Sequence, residues 1–356
     1  MRYVLLLVLM LPGSLIASPI KPYFSFSSES FAEPMAIDDF VHGLDGKPDK
    51  GEVAYTSSSV EGGITWQRGN SVISFSGIYR YDYFLKFSDD TIKLLHDINQ
   101  KIHPYPGDTF DIELEAEQIR AQGIKLGITK VYENLRLYSA VSILDADKFL
   151  SGQITGTITA ESNNSYLGSI SLDDVYSEDP LLDRQTTQPS GMGYSMDFAV
   201  QYAFLKQYRI ELMIKDLFSS IRWEDAPYTI ATAENASLIY DSEGQLNKPP
   251  VLTGYEGYKT YDQRLPVKIN SRLVYFQHSI SYQIGLTYNE YLTDLQLGSS
   301  YEFSNFNLGI GYKIQQKALS LSFRKNGYYF TFQTDTLPLD QSQSIGLFFG
   351  YNGLSN

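Results

Sequence analysis

One stretch limits what this chain can fold into more than any other: the fifteen residues from Ile73 to Phe87, in which two kinds of side chain alternate. The odd positions read Ile73, Phe75, Gly77, Tyr79, Tyr81, Tyr83, Leu85 and Phe87, and the even positions read Ser74, Ser76, Ile78, Arg80, Asp82, Phe84 and Lys86. In an extended strand a period of two sets an apolar, aromatic face against a largely polar one. Strands of soluble proteins run to about 5–6 residues, whereas a strand that crosses a bilayer needs about 9–11. The run is therefore expected to be a barrel strand that projects beyond the membrane. A basic residue facing lipid at the midplane costs about 2–4 kcal/mol. Tyr79 and Tyr81 are accordingly expected to meet lipid, with Arg80, Asp82 and Lys86 turned to the lumen.

Similar runs recur along the chain. Phe110, Ile112, Leu114 and Ala116 alternate with Asp111, Glu113, Glu115 and Glu117, and the even-position register resumes at Ile124, Leu126 and Ile128. From Met192 to Phe204 the even positions are apolar or aromatic, while Asp197 and Gln201 fall on the other face and are further lumen candidates. Shorter runs lie at Leu135 to Ile143, Ile154 to Ala160, Ile210 to Ile214 and Leu265 to Tyr275, and from His278 onward to Ile345–Tyr351. Asn289-Glu290, Ser304-Asn305 and Lys325-Asn326-Gly327 read as tight turns of a meander. Short turns without a second apolar layer favour a sheet closed on itself. The expected fold is all-β, a closed antiparallel transmembrane barrel of about 12–14 strands.

The start of the chain supports this reading. Arg2, the apolar run Val4 to Leu11, and Leu15-Ile16-Ala17-Ser18 form the three-part pattern of a secretory signal, with cleavage expected after Ala17. That apolar run is too short for a membrane helix, no later stretch is long and apolar enough, and the mean hydropathy is −0.22. The net charge of −13 argues against nucleic acid as a partner. With no Cys, neither a disulfide nor a lipid-modified N-terminal cysteine is available. The 28 Tyr and 20 Phe suit both a membrane interface and a large soluble sheet.

Four segments break the alternation. Residues Asp89 to Ile102 carry Ile92, Leu94, Leu95, Ile98 and Ile102 near helical spacing, with Pro104 beyond, and read as a short amphipathic helix. It would lie on the membrane, cap the barrel, or pack between two long strands. Residues 18–50 contain Pro19, Pro22, Pro34 and Pro48, and are expected to plug the lumen or remain mobile, leaving 51–356 as the barrel. Asp173 to Ser190 and Glu243 to Gln263 read as long exposed loops.

The chain carries few motifs of known chemistry. His42, His96, His103 and His278 show no metal spacing, and no nucleophile elbow, phosphate loop or dinucleotide fingerprint occurs, so no cofactor or metal is implied. A barrel lipid hydrolase needs a Ser–His pair, for which His278 with Ser279 and Ser281 is the candidate. The acidic ladder Asp111, Glu113, Glu115 and Glu117 would set four carboxylates about 6.6–6.8 Å apart on one face. In a lumen they would favour cations, or pair with Arg80, Arg120 and Lys125; above the membrane they would simply be solvated.

Ile345, Leu347, Phe349 and Tyr351 resemble the C-terminal assembly signal of outer-membrane barrels, although Asn352 to Asn356 follow the last aromatic. That resemblance implies outer-membrane lipid and the barrel assembly machinery as partners. The block Lys215-Asp216-Leu217-Phe218 through Ile221-Arg222-Trp223, with the long Tyr-rich strands, is similar to the broad group around the long-chain fatty-acid transporters and plasmid-transfer barrels. The resemblance implies a transport or pore protein for a small or hydrophobic solute. A structural or adhesive anchor is the alternative, and a lipid hydrolase the third.

Overall fold

In the computed structural model, residues 20–162, 165–179, 186–240, 246–248 and 253–353 are described, so the expected signal segment 1–17 lies outside them. In chain order the strands begin with β1 (Ile20–Ala32), β2 (Val53–Arg68), β3 (Ser71–Phe87), β4 (Thr109–Val131), β5 (Leu135–Ser162) and β6 (Ser165–Tyr176). They continue as β7 (Gly191–Phe204), β8 (Tyr208–Tyr240), β9 (Leu246–Lys248), β10 (Thr253–Gln263), β11 (Lys268–Gln277) and β12 (Ile280–Tyr288). The last five are β13 (Thr293–Glu302), β14 (Asn307–Lys313), β15 (Ala318–Lys325), β16 (Tyr328–Thr334) and β17 (Ser344–Asn352). Two helices, α1 (Ile37–Val41) and α2 (Asp89–Asn99), sit in the connections β1–β2 and β3–β4.

All pairings are antiparallel, and β1 bonds to both β2 and β17, which closes the sheet into a barrel of 14 strand positions. Two positions are shared. The first part of β5 pairs with β7 and the second with β6, and β8 pairs with the same two strands. Likewise β11 and β10 lie one beyond the other along β8. The wall is thus tall along β4, β5 and β8, the last two having 28 and 33 residues, and low at β14 and β16, with 7 each.

The period-two pattern becomes two physical surfaces. On β3, Phe75 and Tyr79 are exposed, while Ser76, Asp82 and Phe84 are buried. Around the ring Ile124, Leu126, Ile284, Leu286, Ile310 and Leu321 are exposed too, a continuous apolar belt that a closed sheet would not present to water. At the end where β1 starts and β17 finishes, rings follow one another from strand to strand. Tyr202, Phe204, Tyr208, Tyr275 and Tyr282 form one chain, and Tyr301, Phe303, Phe306 and Phe323 another, with centroids 4.5–6.4 Å apart. Such a girdle marks the interface between hydrocarbon and water. This short-turn end carries hairpins such as Gly69-Asn70 and Asn326-Gly327, where Gly69 (φ 59°), Asn326 (φ 49°) and Gly327 (φ 86°) are left-handed. Leu321→Arg on the belt is expected to lower stability by about 2–4 kcal/mol in lipid vesicles. Ser320→Arg on the opposite face serves as comparison, and equal losses in urea titrations would refute the assigned facing.

Of the segment 18–50 expected to plug the lumen or remain mobile, Ile20–Ala32 is wall, hydrogen-bonded on both sides. Its alternation is carried by serines as well as rings. Ser27 meets Ser59, Ser28 meets Ser58, and Ser30 meets Thr56 through hydroxyl pairs, while Phe26 stacks on Phe349 at 4.8 Å. Pro22 is tolerated because it stands near the strand's start, where pairing with β17 has ended. The expected loop Glu243 to Gln263 is also corrected, since its second half is β10, paired with β8 from Thr253↔Thr232 to Gln263↔Ile221.

Helix α2 begins at Ser88, whose Oγ accepts a hydrogen bond from the Thr91 N–H, as an N-cap does. Its Ile92 and Leu94 bury against Phe87, Phe110, Ile158 and Tyr166. Phe87 belongs to the odd, outward face of β3, so the helix lies on the outside of the tall wall and does not cap the lumen.

Candidate functional site: a charged barrel interior

At the level of the apolar belt the interior holds paired charges. Arg80 on β3 reaches Asp216 on β8 at 2.7 Å and Asp82 at 2.5 Å. Asp82, itself only 2% exposed, also accepts from Lys268 on β11 (2.5 Å) and from the Ser57 hydroxyl (2.7 Å). Beside them Lys125 on β4 joins Asp197 on β7 (2.7 Å) to Glu61 on β2 (3.3 Å). Arg80–Asp216, Asp82–Lys268, Lys125–Asp197 and Lys125–Glu61 each join strands that are not neighbours in the ring, so these four contacts run through the lumen. Lys215 borders the same space, giving four carboxylates and four cations around a cavity of about 100 Å3.

Local geometry explains how Asp216 enters this cluster. Pairing of β7 with β8 slips between Met196 and Phe198, and Asp216 takes φ 60° within the bulge. Its N–H donates to Asp197 Oδ1 and its Oδ1 accepts from the Ser195 hydroxyl. A non-glycine residue in that conformation costs of order 1–3 kcal/mol and persists only where its surroundings hold it. Here the Arg80 ion pair and the hydrogen bonds with Ser195 and Asp197 do so.

A second tie crosses from β14 to β1 and β2. Lys313 meets Glu29 at 2.7 Å, and Glu29 also accepts from Tyr55 and Gln316. Beside the charges lie two apolar groups. Trp223 stacks on Phe149 with centroids 4.1 Å apart and donates to Gln263, among buried Ile119, Leu144, Ile221 and Leu265. Phe84 stacks on Tyr291 at 4.9 Å, near Phe31, Val53 and Tyr55.

The residues singled out from sequence fall at different heights. Arg80, Asp82 and Asp197 are in the paired cluster. Gln201 shares Asp197's face, half-buried, and opposes Glu211 and Arg136 in register. In the acidic ladder, Glu117 is held by Ser151 and Gln263, Glu115 is half-buried, and Glu113 and Asp111 are exposed at the mouth, with Lys86 4.0 Å from Glu113. The ladder does not pair with Arg80, Arg120 or Lys125, because Arg120 is taken by Asp147 and the other two by the central cluster. No hydrogen bond links His278 to Ser279 or Ser281; Ser281 is bonded instead to Ser300 at 2.8 Å. Glu61, Lys215, Asp216 and Lys268 were not among the sequence candidates for the lumen, and Lys125 entered only as a partner for the acidic ladder. The signal for Lys125 was its place between the apolar Ile124 and Leu126; for Asp216 the bulge concealed it.

Above the belt, Asp174 on β6 is 3% exposed and its Oδ1 accepts no hydrogen bond from any described group. Burial, with the negative charge of Asp179 beside it, raises its pKa to about 7. An unfolded chain releases that proton at about 3.9. Between about pH 4 and 7 the folded state therefore holds a proton that the unfolded state lacks, and stability falls as pH rises through that window. Hydrogen-exchange protection of the β6 amides is expected to fall over the same range, and Asp174→Asn to flatten the dependence. An unchanged slope in the variant would count against this assignment.

Closure, apolar belt, aromatic girdle and charged interior together define a transmembrane β-barrel. No protein-family model matches the sequence, and no curated protein matches it. Among solved structures the chain is similar to the TodX deltaS2S3 mutant monoaromatic hydrocarbon channel, with 9% identity and a TM-score of 0.47 over 95% of this chain and 90% of that one. It is also similar to the CymD monoaromatic hydrocarbon channel, with 9% identity and a TM-score of 0.33 over 93% and 87% of the two chains. For the copper transporter OprC the values are 8% and 0.25, over 96% of this chain and 81% of that one.

Proposed function

We propose that this chain is an outer-membrane barrel that passes a small solute, in a state where the passage is shut by its own side chains. The observation that carries the reading is the set of eight ionisable groups inside the barrel at belt height. Burying ions is costly even when they are paired, and a barrel that served only as an anchor could fill the same space with apolar residues. Ionisable groups within a membrane protein's interior more often mark a path for solute or ions. Antiparallel barrels of this kind place short turns toward the periplasm and longer segments outside the cell, which would put the start of β1 and the end of β17 on the periplasmic side. Hydrophobic solute remains a narrower form of the proposal, supported by the Trp223 and Phe84 groups on the lumen wall.

Planar bilayers test this with the full chain. Wild type is expected to conduct weakly. The double variant Arg80→Ala/Asp216→Ala removes the β3–β8 tie while leaving Asp82 paired with Lys268, and is expected to open a clear conductance. If the folded double variant stays silent and proteoliposomes take up no solute, the transport reading fails. The wall of β4, β5, β6, β8 and β10 standing above the belt favours a second role as a platform for partners outside the cell.

A further inference from the structure

At the short-turn end the lumen widens into a second space, of about 330 Å3, bordered by Arg209, Arg272 and Arg324. Two of these arginines are already held. Arg209 and Arg272 share Glu211, Arg209 at 2.7 Å and Arg272 through two N–H groups on one oxygen. Arg209 also lies over the Phe276 ring at 4.8 Å, and Arg272 reaches Gln283 at 3.4 Å. Arg324 makes no hydrogen bond or ion pair with any described residue, although it borders the same cavity. In register it faces Asn307 on one side and Tyr329 on the other, both neutral. Glu302 also lines the space, so three cations meet two carboxylates there.

We infer that this cavity is a binding site for a small oxyanion, a carboxylate or a phosphate, clamped by the free guanidinium of Arg324. The inference rests on the transport reading and gives its solute as a small anion in place of a hydrophobic one. A guanidinium presents a planar fork of donors that matches two oxygens of such a group at once. The volume is at the lower end of the range for small-molecule sites, enough for a phosphate or a short dicarboxylate and too little for a macromolecule. Serines at 281, 300 and 322 supply neutral hydroxyls along the wall. An anion docked here would also relieve the crowding of three like charges in a space enclosed by the membrane-spanning wall.

Titration calorimetry on the refolded full chain in micelles tests the site, with inorganic phosphate and succinate as separate probes. Saturable binding of at least one probe is expected, weakened about tenfold or more by Arg324→Gln and less by Arg324→Lys, which keeps charge but loses the fork. Lys206→Gln removes one cation at the same end outside the cavity and is expected to change nothing. Absence of saturation in wild type, or equal binding in both Arg324 variants, overturns the inference. Proteoliposome uptake separates the two proposals: binding without passage removes the transport reading and keeps the site, whereas passage without Arg324-dependent binding removes the site alone.

Discussion

Trp223→Ala is expected to cost the fold about 3–5 kcal/mol, the range for emptying a large aromatic from a packed interior. The indole is fully buried, its ring stacks on Phe149, and its N–H is satisfied by Gln263. The backbone has been shaped around it: a Cβ added at Gly191 would come within 2.7 Å of the ring. Removing the indole leaves a void between β5, β7 and β10, and frees Gln263, which also bonds to Glu117 and the Gln118 carbonyl. Trp223→Phe keeps most of the volume and should lose much less. Urea midpoints followed by far-ultraviolet circular dichroism in vesicles give the comparison; a loss under about 1 kcal/mol for the alanine variant would mean that the wall collapses onto the gap.

The second large effect is expected at Asp82. Replacing it with alanine strips Lys268 of its ion pair and leaves Arg80 with only Asp216, and breaking one side of a buried pair typically costs about 3–5 kcal/mol. Lys268→Met alone should be costly for the same reason, because Asp82 would keep Arg80 but lose a second cation. The double variant Asp82→Ala/Lys268→Met should be less damaging than the sum, since it removes both partners together. Additive losses in this cycle would show that the two groups do not sense each other across the lumen.

Much of the wall could be read from alternation, and the reasons for the misses are local. On β3 the charges and every ring but Phe84 fall on opposite faces without a bulge, so facing followed from counting by twos. On β1 the polar face is made of serines and one glutamate, and the prolines nearby drew the reading toward an irregular segment. On β10 glycines and tyrosines, following Pro249-Pro250, concealed a strand whose order comes from β8 rather than from its own propensity. The central cluster was legible only in part. Arg80 and Asp82 stand out as charges within an aromatic strand, but Asp216 points inward because the backbone doubles over at a bulge, and periodicity has no term for that. That Lys125 meets Glu61 and Asp197 depends on how the ring closes, information carried by no single strand.

The unequal height of the wall has a further consequence. At about 3.3 Å per residue, strands of 28 and 33 residues outreach those of 7 by far more than a bilayer interface is deep. The rim away from the short-turn end is therefore slanted, like a cup cut at an angle, with α2 thickening its high side. That rim stands as a screen on the side of β4 to β10 and as a low sill on the side of β12 to β17. The same slant gives the barrel an orientation about its own axis, and two copies in one membrane could present either their screens or their sills to each other.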